Sequence, residues 1–220
     1  MQLRIPTQSF FSLACTCPHL DVSPSIDGDL GEWPEEARVP DLMGMGGGEA
    51  FAEIYTGWNA EGLFFAADVK GNPEPDVEPM RPTRGDSLQI WVDTRDVRNA
   101  HRASRYCHHY FFLPMGSGRG QKKPMAGQLR IRRARAQMTP CSSQEIEIAS
   151  KVTRSGYRME IHLRADLLTG FDPDENRRLG FTYLLRDHIS GRQYWSSDES
   201  LPVSYDPTLW GTMELGPSVK

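Results

Sequence analysis

The sequence has few cysteines, little net charge and no long apolar run. Four of its 220 residues are cysteine, and the formal net charge is −4. No segment approaches the roughly 20 apolar residues that a membrane-spanning helix needs. No basic region is concentrated enough to bind the phosphates of nucleic acid. We therefore expect neither a membrane nor a nucleic acid as partner.

The first twenty residues make a poor export signal. Pro6, Thr7 and Gln8 interrupt their apolar stretch, and Arg4 is the only basic residue before it. Ser-Leu-Ala-Cys at 12–15 is only loosely similar to a lipoprotein cleavage box. The sequence predicts a cytoplasmic protein on these grounds and otherwise leaves the location open.

The cysteines do not have the spacing of a structural zinc site. Zinc ligands are usually separated by two or more residues, whereas the first two cysteines are separated by one. A site that joined them to the Cys-His-His at 107–109 is the alternative. We predict ordinary reduced or buried thiols for all four. They are Cys15, Cys17, Cys107 and Cys141.

Motifs of common enzyme classes are missing as well. The sequence has no Gly-x-Ser-x-Gly elbow, no phosphate-binding loop and no His-Glu-x-x-His helix. Pairs such as Glu145 with Glu147, or Glu160 with His162, fall on one face of a predicted strand, as often happens on solvated strands. We therefore expect a binding module and not an enzyme.

Period-two alternation between turn residues is the dominant positive signal. Residues 50–59 and 63–71 predict a hairpin, and 87–93 alternates with Leu88, Ile90 and Val92 on one face. No helix separates successive strands, which argues against a parallel α/β sheet. We predict one domain over 1–220 with a core at about 24–215. Its class is all-β, an antiparallel β-sandwich of jelly-roll or immunoglobulin-like layers with eight to ten strands and few short helices.

The order of several motifs resembles a known family. These are "IDGDLGEWPEEA", "AEIYTGWNAEGLFFAADVKG", "RGDSLQIWVDTRD", "GYRMEIHLRADLL", "LGFTYLLRDH" and "YWSSDESLPVSYDPTLWGTMEL". In this order they are similar to the family 9 carbohydrate-binding module and its DOMON-like relatives, over roughly residues 24–215. The resemblance implies a β-sandwich that binds sugars on one surface, or, in DOMON relatives, haem.

The acidic stretch at 25–37 is interpreted as a structural corner. Asp27-Gly28-Asp29 has the composition of a turn in which short carboxylates cap backbone amides. Trp33 is expected to pack where the first strand begins.

The resemblance also places a sugar clamp, from which this sequence departs. Sugar-binding members have one tryptophan just before the Asp-Ser pair and another before the final strand. Here Arg84 precedes Asp86-Ser87, and Tyr205 is the only aromatic residue near the second position. The family's acidic residue on the following strand is Gln89, and its basic residue falls near Phe111.

A different set of side chains is predicted to form a binding floor. They lie on the non-core faces of neighbouring strands and combine aromatic rings with planar polar groups, as sugar recognition requires. The alternative is that this face is covered by the 113–128 loop or by another subunit. The predicted ligand-binding residues are Arg84, Gln89, Trp91, His109, Phe111, Arg186 and Tyr205.

Two cofactors remain as minor hypotheses. Asp86 and Asp93 are candidate ligands of a structural calcium ion, because related modules carry calcium and loop carboxylates suit it. Haem would need an axial pair, for which Met80, Met115 and His109 are candidates. The arginines between 130 and 135 are interpreted as a solvated strand edge.

The sequence thus predicts a non-catalytic saccharide-binding module with an altered clamp, of the kind often attached to a glycan-processing enzyme. The alternative is an interaction module that has lost sugar binding and meets a protein partner or a second copy of itself. A haem-binding DOMON-like domain is the third hypothesis.

Overall fold

The computed structural model describes residues 7–218, whose regular structure is almost entirely strand, as predicted. Eight helices in this range are single 3-10 turns, and none of them is long and apolar enough to cross a membrane. The turns are Thr7–Phe10, Leu30–Glu32, Glu35–Ala37, Met43–Gly46, Arg119–Gln121, Ser143–Glu145, Ala165–Leu167 and Pro207–Leu209. The strands are β1 Ala14–His19, β2 Ala52–Asn59, β3 Gly62–Lys70, β4 Ser87–Asp93, β5 Cys107–Ser117, β6 Lys123–Gln128, β7 Glu147–Thr153, β8 Gly156–Arg164, β9 Arg178–Asp187, β10 Gly191–Tyr194 and β11 Gly211–Ser218.

The strands form one mixed sheet. The order is β6-β5-β4-β9-β11-β1-β2-β3-β8-β7, and β10 pairs with β9. Most neighbours are antiparallel, but β1 pairs in parallel with both β11 and β2. The prediction of a wholly antiparallel arrangement was therefore wrong at β1.

The sheet curls until its two ends meet, which makes it nearly barrel-like. β6 and β7, the ends of the strand order, contact each other. Phe65 on β3 stacks on Phe181 on β9 with ring centroids 6.0 Å apart, although these strands are not neighbours. The two halves of the sheet thus face each other across a shared core.

The predicted inner faces are confirmed. Leu88, Ile90 and Val92 are completely buried in the main core, and so are Met159 and Ile161 of β8. Alternation places these side chains on one face of each strand, and burial of their apolar area stabilises the curled sheet.

The outer face of β4, β5 and β9 is covered by the chain itself. A second apolar cluster joins Trp91 and Leu184 on the strands to Ile131, Val203 and Trp210. The covering segments are the connections at 94–106 and 129–141 and the stretch at 198–210. The 113–128 stretch, predicted as a loop, instead forms the end of β5 and strand β6.

The arginine run is not a strand edge, contrary to the prediction. Residues 129–137 form a closed turn in which the Gln137 side chain bonds both the N–H and the carbonyl of Ile131, at 3.2 and 2.9 Å. Arg133 has φ of +59°, a left-handed conformation that does not fit an extended strand. Ile131 points inward as part of the second cluster, and its packing holds this segment against the sheet.

The first strand comes earlier than predicted. β1 lies in the middle of the sheet before residue 24, whereas the stretch at 25–37 forms turns and two 3-10 helices. Trp33 packs there as expected of a structural corner, and its Nε1 donates to Glu160 at 2.8 Å. Residues 1–6, which carry part of the predicted signal-like stretch, lie outside the described residues.

Candidate functional site

The structure brings four of the predicted floor residues together. Trp91 is directly opposite His109 on β4 and β5, and Gln89 is directly opposite Phe111. The Trp91 and His109 rings stack with centroids 4.1 Å apart. His109 Nε2 lies 3.2 Å from Gln89 Oε1, which can only accept, so Nε2 carries the proton.

This floor is buried, however. Gln89, Trp91, His109 and Phe111 are between 2 and 7% exposed. Burial lowers the pKa of His109 to about 3, so the ring is neutral at pH 7. A saccharide that approaches the protein in this conformation meets the covering segments and not these four side chains.

The tryptophans likewise offer no ring face to a ligand. All five are at most 9% exposed, and therefore none can stack on a sugar without a rearrangement. They are Trp33, Trp58, Trp91, Trp195 and Trp210.

A polar cleft opens instead at the end of β9. The hairpin of β9 and β10 turns at 188–190, where Asp187 Oδ1 accepts from the N–H groups of Ile189 and Ser190 at 3.1 and 2.7 Å. Gly191 closes the turn with φ of +95°. The cleft has a volume of about 230 Å³ and lies between this hairpin and the loop at 76–86. We call it the arginine cleft, after Arg84, Arg186 and Arg192 on its walls.

Two of these arginines are held by one carboxylate. Arg186 and Arg192 are directly opposite each other on β9 and β10, a placement that would be repulsive without a counter-ion. Glu199 lies between them, with Oε1 2.5 Å from Arg186 and Oε2 2.5 Å from Arg192. Each guanidinium keeps further N–H groups, which can donate in pairs to neighbouring hydroxyls.

A buried polar network fixes the opposite wall. Asp86 is 1% exposed and accepts from the Asn72 amide at 2.7 Å, from the Asp76 N–H at 2.8 Å and from the His188 N–H at 2.6 Å. The Asn72 amide also donates to Asp187, at 2.6 Å. The His188 ring bonds Asp86 at 2.9 Å, and this hydrogen bond raises the pKa of His188. The network therefore ties the 72–76 loop to the hairpin.

The remaining predicted residues divide between two places. Arg84 and Arg186 both line the arginine cleft, and Arg84 is exposed there. Tyr205 lies on the covering stretch at 198–210, where the Arg133 guanidinium is 5.0 Å above its ring and donates to its hydroxyl at 3.1 Å. Tyr205 therefore helps to close the second apolar cluster and does not line the cleft.

Sequence reasoning missed Arg192 and Glu199. The signal for Arg192 is the turn sequence Asp-His-Ile-Ser-Gly, whose hairpin register places Arg192 opposite Arg186. Glu199 has no such signal, because it lies in an irregular segment whose position depends on tertiary contacts.

Asp86 and Asp93 do not suit a calcium ion. They lie at opposite ends of β4, roughly 23 Å apart at about 3.3 Å per residue, so one ion cannot bind both. Each also faces N–H donors, since Asp93 accepts from Arg95 and Val97 at 3.1 and 2.9 Å. Among the residues that the structure describes, no group of three or more histidine, cysteine, aspartate or glutamate side chains is arranged for a metal.

The other candidate ligands lie in unlike surroundings. Met80 is 94% exposed, whereas His109 is buried against Trp91, so these two do not form a ready axial pair for haem. All four cysteines are free, and Cys15, Cys17 and Cys107 are buried, as the prediction of ordinary thiols requires.

A curled all-β domain with a polar cleft at its surface has the architecture of a binding module. The sequence profile described as "Carbohydrate family 9 binding domain-like" matches residues 26–217. The chain therefore belongs to this family of carbohydrate-binding domains. A comparison with curated proteins found no match, and the resemblance to DOMON domains stays a prediction.

Solved structures share the fold. A family 9 carbohydrate-binding module from Caldicellulosiruptor kristjanssonii in complex with cellotriose is 17% identical, with a TM-score of 0.63, and the match covers 94% of this chain and 96% of that one. Its glucose complex gives 16% identity and a TM-score of 0.62, covering 94% and 98%. A Bacteroides uniformis protein gives 8% identity and a TM-score of 0.55, covering 92% and 99%. At these identities the similarity concerns the fold alone.

Proposed function

We propose that this chain is a non-catalytic saccharide-binding module. Its curled sheet forms the two layers of a β-sandwich, and its ligand binds in the arginine cleft. Membership of a carbohydrate-binding family over residues 26–217 is the observation that carries the proposal. The C. kristjanssonii module of the same fold was solved with cellotriose and with glucose. We accordingly choose a neutral glucan as the first ligand to test.

The cleft suits such a ligand through its planar polar groups. Three guanidiniums stand beside Asp76 and Glu78, so the walls offer donors and acceptors at short intervals. Neighbouring hydroxyls of a pyranose are well matched by two-pronged hydrogen bonds from a guanidinium or a carboxylate. Tyr194 lines the adjoining surface with Arg192 and Glu199 and supplies an aromatic ring there.

The clamp of the family is replaced in this proposal. The exposed Arg84 occupies the position before Asp86-Ser87, and Tyr205 is engaged with Arg133. Polar contacts therefore take the place of stacking between two tryptophans. We expect affinity weaker than stacking would give, because each hydrogen bond replaces one to water.

Isothermal titration calorimetry with cellotriose and glucose tests the proposal. Arg192→Gln should weaken binding about tenfold, since it removes one charged donor. Arg154→Gln is the matched control, because Arg154 is exposed in the turn between β7 and β8 and does not line the cleft. Calorimetry is preferred to tryptophan fluorescence, as all five indoles are buried.

Two results would overturn the proposal. One is a flat cellotriose titration together with a glycan array that returns no bound saccharide. The other is saturable binding that Arg192→Gln and Arg154→Gln reduce to the same extent, which would place the ligand elsewhere.

A further inference from the structure

A second cavity lies at the other end of β9. One wall is the segment from Gln8 to Leu13, and the other is the stretch from Thr208 to Thr212. Its volume is about 280 Å³, close to the lower end of the range for small-molecule sites. Arg178 at this end of β9 is roughly 26 Å from Arg186 at the other, for eight residues at about 3.3 Å each. The cavity and the arginine cleft are therefore separate.

The lining of this cavity is cationic. Arg98 and Arg178 both line it, and no aspartate or glutamate does among the described residues. Asp96 lies behind the arginines, with Oδ1 2.6 Å from Arg98 Nε and Oδ2 3.5 Å from Arg178 Nε. Its carboxylate is 6% exposed, so it fixes the two guanidiniums without reaching a ligand. Glu214 Oε1 also lies 4.0 Å from Arg178 Nη1, but its side chain is 55% exposed and does not line the cavity, so among the described residues the charged groups of the lining are the two guanidiniums.

Arg98 is held rigidly in this position. Its two terminal nitrogens donate to the Trp210 carbonyl and to Thr212 Oγ1. Thr212 Oγ1 in turn donates to Asp96 Oδ2 at 3.0 Å. Each terminal nitrogen retains a second N–H for another acceptor. A guanidinium held in this way loses little entropy when it binds an anion.

Neutral polar groups complete the lining. Ser9, Ser12, Ser196 and Thr208 carry hydroxyl groups there. Gln8 is 1% exposed, its amide donates to the Leu42 carbonyl at 2.9 Å, and its Oε1 has no hydrogen-bond partner. An unpaired buried acceptor is costly unless a donor reaches it. A ligand hydroxyl is a donor of the size that this cavity admits.

We propose that this cavity is a second ligand site, for a small carboxylate that carries neighbouring hydroxyls, as in a sugar acid. The carboxylate lies against Arg178 and Arg98, and the hydroxyls bond Gln8 Oε1 and the serine and threonine side chains. The arginines select the charge, because their remaining N–H groups form stronger, charge-assisted hydrogen bonds with a carboxylate than with a neutral hydroxyl. The hydroxyl groups of the lining favour a carboxylate that carries its own hydroxyls over one that has none, such as acetate.

Calorimetry with D-galacturonate tests this site, with D-galactose and acetate as probes that lack one of the two features. Galacturonate should bind the full chain at least about tenfold more tightly than either. Arg178→Gln should weaken galacturonate binding about tenfold. Arg177→Gln is the matched control, since the Arg177 guanidinium lies over the Trp58 ring, 5.3 Å from its centroid, and outside the cavity.

Arg192→Gln distinguishes this site from the arginine cleft. It should leave galacturonate binding within about twofold of the unaltered protein, because a charge roughly 26 Å away is screened. The inference is overturned if galacturonate does not bind, if acetate or galactose binds as tightly, if Arg178→Gln matches Arg177→Gln, or if Arg192→Gln weakens binding as much as Arg178→Gln. A thermal melt of each variant establishes that it is folded.

Discussion

Glu160 is the residue on which the acidic corner at 25–37 depends. It is completely buried on β8 and accepts from the N–H groups of Asp27 and Gly28, at 3.0 and 2.6 Å, and from Trp33 Nε1 at 2.8 Å. Burial raises the pKa of Glu160, whereas these three donors lower it. The corner is therefore fastened to the sheet by one carboxylate, which explains why its sequence combines a tight turn with a tryptophan.

We expect Glu160→Ala to lower the free energy of unfolding by about 3 kcal/mol, because it leaves buried N–H groups without an acceptor. Urea denaturation measures the change. Glu147→Ala is the control: Glu147 is on the next strand, its side chain is 56% exposed and its contact with His162 is 3.1 Å. That variant should cost under about 1 kcal/mol. Equal losses for the two variants would show that Glu160 does not anchor the corner.

At the scale of elements, β1 is the strand that the pattern of the sequence did not identify. It lies between β11 and β2 and pairs with both in parallel. Its six residues are too few for a clear alternation, and they include Pro18, which rarely occurs in an interior strand. The position of β1 in the sheet is evident only from its pairing with β11 and β2.

Substitutions at Cys17 and Thr16 test whether β1 is an interior strand of the sheet. Cys17 is completely buried in the core, whereas Thr16 points outward and is exposed. Cys17→Lys should abolish the cooperative thermal transition, since an unpaired buried charge costs more than about 4 kcal/mol. Thr16→Lys should shift the melting temperature by only about 2 °C. A cooperative melt of Cys17→Lys near that of the unaltered protein would contradict an interior β1.

For the whole molecule, buried histidines couple stability to pH. Burial lowers the pKa of His108 to about 4 and that of His109 to about 3, against about 6.5 when the chain is unfolded. Below pH 6.5 the unfolded chain gains protons that the folded protein does not bind. Stability is therefore complete above pH 6.5 and falls as the pH decreases toward these lowered values.

The expected loss is about 2 kcal/mol for each of these histidines between pH 7 and pH 5. Urea denaturation at several pH values measures it. His109→Phe keeps a ring against Trp91 but cannot titrate, so its stability should fall by about 2 kcal/mol less over this interval. His188, whose pKa is raised, and Glu160 contribute equally to both proteins and cancel in the comparison. Identical pH profiles would show that His109 is not buried as a neutral ring.

The candidate site was predictable only in part. Alternation placed Gln89 and Trp91 on one face, and neighbouring strands brought His109 and Phe111 beside them. Whether that face is exposed to solvent depends on the irregular segments at 129–141 and 198–210. Their sequences have no periodic pattern from which their structure could be predicted. The arginine cleft likewise depends on Glu199, which the irregular segment after β10 brings back to the β9–β10 hairpin.

The sequence by itself determined the strands and their inner faces, because the side chains of a strand alternate with a period of two and apolar burial selects one face. It also determined the turn at 27–29, through short carboxylates and a glycine with φ of +84°. Tertiary structure alone decided the parallel placement of β1, the cover over Trp91 and the segments that wall the two cavities at the ends of β9. Each of these depends on contacts between residues distant in the chain, which leave no local pattern.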